Sequence, residues 1–136
     1  MLFRSGARNN AAVRALDPLP GRSHYLRGND PHRWVTDVPT YGRIEYQDVY
    51  PGVNVVYYGT GRLLEHDFVI APGADPAQIR MRFEGADKLS INSEGAVVLS
   101  HGADSILWKK PTLYQNQGAQ RVRVEGRYRE IGRAHV

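Results

Sequence analysis

The chain has 136 residues, 41% of them hydrophobic and 24% charged, which is enough for one domain with a hydrophobic core and too short for two comfortable ones. It has no cysteine, which excludes a disulfide framework, a thiolate zinc site and a cysteine nucleophile, and no stretch approaches the roughly 20 apolar residues of a membrane-spanning helix. The formal charge is +4, but bases and acids are interleaved, as in Arg43-Ile44-Glu45 and Arg123-Val124-Glu125, a pattern of solvated strand faces rather than of a nucleic-acid interface.

The two ends read as translated adapter. Residues 1–5 (Met1-Leu2-Phe3-Arg4-Ser5) and residues 131–136 (Ile131-Gly132-Arg133-Ala134-His135-Val136) can be encoded by inverted copies of one DNA sequence, similar to a common short-read sequencing adapter. Setting them aside as scars leaves 16 basic against 14 acidic residues and a formal charge of +2. The expected domain is then a single, incomplete all-β unit over residues 6–130, with an irregular arm at 6–41 and a sheet at 42–130.

In the arm, Asp17-Pro18-Leu19-Pro20-Gly21 and Gly28-Asn29-Asp30-Pro31 carry turn chemistry. Ser23 to Leu26 suits a short edge strand, and Trp34 with Val35 suits an anchor. From Gly42 onward strands follow one another. Ile44 and Tyr46 alternate with Arg43 and Glu45 as on a half-buried strand. Val53 to Tyr58 is a β-branched and aromatic run that fits a strand covered on both faces. Gly59-Thr60-Gly61 turns it into Leu63–Ile70 as a hairpin, and residues 71–76 form a loop.

Further strands are expected at Ile79 to Phe83, Leu89 to Ile91, Val97 to Leu99, Ile106 to Trp108, Leu113 to Tyr114 and Val122 to Tyr128. Helical turns are expected only at Ala11 to Leu16 and Pro76 to Ile79. The 14 Gly and 8 Pro fall between short apolar runs, and Tyr outnumbers Phe and Trp. Together these predict an all-β fold, an antiparallel β-sandwich or barrel-like sheet, truncated after its last strand.

Several stretches, in order, carry a family resemblance. They are Gly28-Asn29-Asp30-Pro31 with Trp34, Val38-Pro39-Thr40-Tyr41, Asp48-Val49-Tyr50-Pro51-Gly52 and Val55-Val56-Tyr57-Tyr58-Gly59. Leu64-Glu65-His66-Asp67-Phe68, Ala71 to Pro76, Phe83-Glu84-Gly85-Ala86, Lys110-Pro111 and Tyr114 complete the set. Over Gly21 to Tyr128 the chain resembles the DUF7948-like domain of unknown function that precedes SBBP, β-propeller-like, repeats in bacterial cell-surface proteins. His66 departs from the family pattern, where an aromatic, usually Tyr, is expected, and the chain ends before the family's final strands and before any repeats. The resemblance implies an extracellular or envelope location, an accessory role, and downstream repeats of the same parent chain as partner. It supplies no catalytic residues.

Among chemistry-bearing residues, Glu65-His66-Asp67 is the sharpest cluster. On a strand Glu65 and Asp67 share a face at roughly 6.5–7 Å, a spacing for oxygen ligation of a cation or for paired glycosidase carboxylates. Ordinary alternation explains the pattern equally, with Leu64, His66 and Phe68 inward and the acids in water. The histidines His24, His32, His66, His101 and His135 show no metal-ligand spacing, so no metal site is expected. Asn29-Asp30-Pro31 and Asn92-Ser93-Glu94-Gly95 could offer Ca2+ ligands, although turn formation accounts for them.

Trp34, Tyr57, Tyr58 and Trp108 could stack on sugar rings or pack in the core. The leading expectation is a non-enzymatic accessory module with no cofactor, no nucleic-acid partner and no membrane insertion. A carbohydrate- or calcium-binding sandwich using Glu65, Asp67, Trp34 and Asp30, with a surface glycan as partner, is the alternative. A glycosidase-like remnant comes third.

Overall fold

The computed structural model describes residues 2–4 and 6–132, with side chains from residue 6. Residues 1, 5 and 133–136, His135 among them, lie outside the described residues. The protein is all-β. Among the described residues eleven strands follow in order: β1 (Leu2–Arg4), β2 (Ala12–Tyr25), β3 (Val35–Tyr50), β4 (Val53–Thr60), β5 (Leu63–Ile70), β6 (Met81–Phe83), β7 (Lys88–Ile91), β8 (Val97–His101), β9 (Asp104–Trp108), β10 (Leu113–Gln117) and β11 (Gln120–Val124). The sheet orders are β2-β3-β4-β5, β7-β8-β9, β10-β11 and β1-β6, and the first three are antiparallel throughout. This is the antiparallel all-β class expected of a β-sandwich. Among the described residues the span expected as one domain contains two compact units, residues 4 and 6–82 and residues 83–132 with Leu2 and Phe3.

In the unit of residues 4–82, the arm expected to be irregular is a long antiparallel ribbon of β2 and β3, running from Ala12↔Gln47 to Tyr25↔Val35. Ala12 to Leu16 is therefore strand rather than helical turn, and Ser23 to Tyr25 of the strand expected at residues 23–26 are the end of a 14-residue one. The reason is exposure: most of β2 is open to solvent, so no apolar period marks it. Pro18 and Pro20 are tolerated because the register shifts between Pro18 and Arg22, where the Thr40 hydroxyl donates to the Gly21 carbonyl at 2.7 Å.

Three aspartates in this ribbon have left-handed backbone, Asp17 (φ 54°), Asp37 (φ 59°) and Asp48 (φ 54°), a region Asp enters more readily than most residues. Each is ion-paired to an arginine, Asp17 and Asp37 to arginines of the ribbon itself and Asp48 to Arg8, which precedes β2. Arg43 reaches Asp17 at 2.5 Å, Arg8 reaches Asp48 at 2.7 Å, and Arg22 stands 3.9 Å from Asp37.

The expected hairpin of β4 and β5 is present, closed by Gly61-Arg62 between the paired Thr60 and Leu63, with Gly61 at φ 61°. Val53, Val55 and Val56 are buried, as expected for a strand covered on both faces. The core cluster is Val49, Tyr50, Val53 and Val55, against which Ala7, Ala11, Tyr46, Tyr57, Phe68 and Ile79 pack. At the β3–β4 turn, Gly52 has φ 71° and its amide donates to Asp48 Oδ1 at 2.8 Å. A Cβ there would lie 2.8 Å from that of Ala74, so the close approach of the following loop requires glycine. Pro76–Gln78 forms the expected helical turn, a single 3-10 turn capped by Asp75.

The unit of residues 83–132 holds β7-β8-β9 and the β10–β11 hairpin, with Ala96 and Val97 buried. Phe83 packs edge-on to Trp108 at 5.9 Å, and the Trp108 indole N–H donates to the Tyr128 hydroxyl at 3.0 Å. Gln115 and Asn116, expected in a turn, extend β10, and the turn itself is Gly118-Ala119.

Candidate functional site

The register of the four-stranded sheet sorts its side chains onto two faces. Directly opposed residues share a face, and the rows Arg14↔Glu45↔Val56↔Asp67 and Leu16↔Arg43↔Tyr58↔Glu65 define the polar one. Val13↔Tyr46↔Val55↔Phe68 and Ala15↔Ile44↔Tyr57↔His66 define the apolar one.

Glu45 is the centre of the polar face. It is the buried charged residue of the described chain, 6% exposed, and its carboxylate is well supplied with donors. Arg14 pairs with Oε2 at 2.8 Å, Gln47 donates to the same oxygen at 3.2 Å, and Asn54 donates to Oε1 at 3.2 Å. Asn54 also accepts from the Asp48 amide at 2.8 Å, tying the cluster to the β3–β4 turn. A buried carboxylate held by a cation and two amides meets the general requirement that buried charge be paired and hydrogen-bonded. Beside it, the hydrogen bond from Arg43 holds the Asp17 carboxyl below the ordinary aspartate value, with the arginine's charge adding to the effect.

Glu65 and Asp67 lie on this same polar face, at the outer strand, and both are exposed. Asp67 accepts from the Tyr58 hydroxyl at 3.2 Å. On the other face His66 packs between Tyr57 (5.6 Å) and Phe68 (5.5 Å), and Tyr46 stands edge-on to Tyr57 at 5.8 Å. His66 and Phe68 are half-buried as inward residues should be, whereas Leu64 on the same face is 75% exposed. Alternation set its direction, but no cover reaches that end of the strand.

The remaining candidates serve turns. Asp30 caps the 3-10 turn Pro31–Arg33 by accepting from the His32 amide at 3.0 Å. Trp34 closes the same loop by donating to the Gly28 carbonyl at 3.0 Å. Asn92 accepts from the amides of Glu94 (3.1 Å) and Ala96 (2.9 Å), shaping the β7–β8 turn. Of the four aromatics considered for sugar stacking, Tyr58 is on the polar face, Tyr57 on the apolar face and Trp34 in the loop of one unit, and Trp108 belongs to the unit of residues 83–132. Among the described residues no group of three or more His, Cys, Asp or Glu could hold a metal ion.

In the unit of residues 83–132, His101 stands 3.3 Å from Asp87, whose Oδ2 also accepts from the Gly102 amide at 2.8 Å. That amide bond, then the nearby imidazole, lowers the Asp87 carboxyl's pKa. A surface hollow of about 320 Å3 is lined by Lys110, Pro111, Arg123, Val124, Glu125 and Gly126, charge of both signs with no aromatic ring.

The family model for the domain of unknown function DUF7948 matches residues 3–135, nearly the whole chain. The chain belongs to the DUF7948 family. No curated protein and no solved structure matches it. Several of the motifs that carried the resemblance have structural roles in this DUF7948 domain. Gly28 to Pro31 and Trp34 build a capped loop, Asp48 to Gly52 builds the β3–β4 turn, and Val55 to Gly59 lies within the inner strand β4.

The Glu45 cluster is what sequence reasoning missed. Period-2 alternation put Glu45 on the solvent side of β3. The available signal was Asn54, a lone amide within the apolar run Val53–Tyr58, which needs a buried polar partner.

Proposed function

We propose that this chain is a non-enzymatic accessory module of an exported bacterial cell-surface protein, located outside the cell or in the envelope. In this reading it packs beside the β-propeller-type SBBP repeats that follow it in the same parent chain. One observation carries it: the apolar face of the four-stranded sheet keeps Val13 (61% exposed), Ile44 (42%) and Leu64 (75%) in water around a half-buried Tyr57. Apolar side chains grouped on one sheet face suit a packing surface. The polar groups point the same way, because Asp30, Trp34, Asp67 and Glu45 are each engaged in holding loops or strands.

The test is methyl NMR of Val13, Ile44 and Leu64 in residues 1–136 alone and in the chain extended through the segment that follows in its source gene. Shifted and solvent-protected methyl signals in the extended chain are the expected result. Unchanged signals, or a source gene with no β repeats downstream, would overturn the proposal.

A further inference from the structure

β5 is an outer strand of the order β2-β3-β4-β5, and β11 is an outer strand of the β10-β11 pair. The hairpin turns fix which peptide groups each strand directs outward. Thr60 and Leu63 pair across a two-residue turn, so they exchange both peptide hydrogen bonds, and odd-numbered residues of β5 bond to β4. The peptide groups of Leu64, His66 and Phe68 are therefore directed away from β4. Gln117 and Gln120 pair across Gly118-Ala119 in the same manner, so Gln120, Val122 and Val124 bond to β10. The peptide groups of Arg121 and Arg123 are directed away from it.

The side chains on these two edges are complementary. β5 carries exposed Glu65 and Asp67 on one face, and Leu64, His66 and Phe68 on the other. β11 carries exposed Arg121 and Arg123 on one face, and Val122 and Val124 on the other. In a parallel pair, an outward-directed residue bonds to the two residues flanking its opposite number. Setting His66 opposite Val122 directs its peptide groups at those of Arg121 and Arg123. That register also sets Glu65 opposite Arg121, Asp67 opposite Arg123, and Phe68 opposite Val124.

The alternatives fit worse. The antiparallel alignment that matches the outward peptide groups sets His66 opposite Arg121 and Glu65 opposite Val122, and the ion pairs are lost. Pairing β5 with β5 of another molecule, in registers centred on residues 65–67, sets carboxylate against carboxylate. We infer that β5 of one molecule accepts β11 of a second copy of this chain as a parallel fifth strand. Each copy carries one acceptor edge and one donor edge, so the contact is heterologous and head-to-tail. This inference goes beyond the accessory-module reading and does not depend on it.

Sedimentation of residues 1–136 over a range of concentrations tests it. The weight-average mass is expected to rise with concentration to twice that of one chain or more, and the association to weaken as added salt screens the ion pairs. The variants Glu65→Lys/Asp67→Lys and Arg121→Glu/Arg123→Glu are each expected to sediment as single chains, because each sets like charges on the two edges. Mixed together, they present Lys against Glu and Arg against carboxylate, and association is expected to return. A wild-type chain that stays monomeric at every concentration overturns the inference. So does association that persists in both variants, or a mixture that fails to recover it while circular dichroism shows both variants folded.

Discussion

Two glutamates on the same face of one sheet show how position sets the role of a side chain. Glu45, on an inner strand, is buried and held by Arg14, Gln47 and Asn54. Glu65, on the outer strand, is exposed beside an Asp67 that only Tyr58 engages among the bonds described. The apolar face has the same gradient, from fully buried Val55 on β4 to Leu64, 75% exposed, on β5. The centre of this sheet is organised for stability, and its edge and uncovered face leave chemistry available for contact.

The largest expected effect compares the apolar ends of that gradient. Val55→Ala removes two buried methyl groups and is expected to cost about 2–3 kcal/mol. Leu64→Ala, in solvent, is expected to change stability by no more than about 0.5 kcal/mol. Urea unfolding of the two variants measures both, and equal losses would erase the distinction between centre and edge.

The two glutamates give a smaller contrast. Glu45→Gln weakens the pairing with Arg14 and confronts the amides of Gln47 and Asn54 with a further amide, at an expected cost of about 1–2 kcal/mol. Glu65→Gln is expected to fall within about 0.5 kcal/mol of wild type. A Glu45→Gln variant as stable as wild type would show that the cluster contributes no net stability.

The smallest effect is in the pH dependence of the ribbon. The hydrogen bond from Arg43 holds the Asp17 carboxyl below the ordinary value of 3.8 in the folded protein. As pH falls, the unfolded chain takes up that proton first. The stabilising contribution is therefore complete above 3.8 and is lost as pH falls through the lowered folded value. Asp17→Asn is expected to remove this part of the acid limb, read by thermal unfolding between neutral and acid pH. An unaltered acid limb would show that Asp17 and Arg43 do not clasp the ribbon in solution.

The strands from Val53 to Ile70 were legible because β-branched residues and a Gly-containing turn agree with each other and with burial. β2 was not, because a strand open to solvent on most of its length carries no apolar period, and Pro18, Pro20 and Gly21 argue locally for a turn. The directions of Glu65, His66 and Asp67 were legible from alternation alone. How buried each residue is was not legible, as Leu64 and Glu45 show in opposite senses, because burial depends on what covers a position. The Arg14 and Gln47 contacts to Glu45 come from strand pairing across the sheet, which spacing along one strand does not record.

The strand orders β2-β3-β4-β5, β7-β8-β9 and β10-β11 have a consequence for how the protein forms. Within each of these sheets every neighbour is also the next strand in the chain, and four of the joints are two-residue turns at Pro51-Gly52, Gly61-Arg62, Gly102-Ala103 and Gly118-Ala119. No strand in them waits for a partner made much later, so the loops that must close are short and their entropic cost is small. On a ribosome, each of these hairpins can close as soon as its second strand has emerged, and the ribbon of β2 and β3 is in place before the core valines of β4 arrive to be covered.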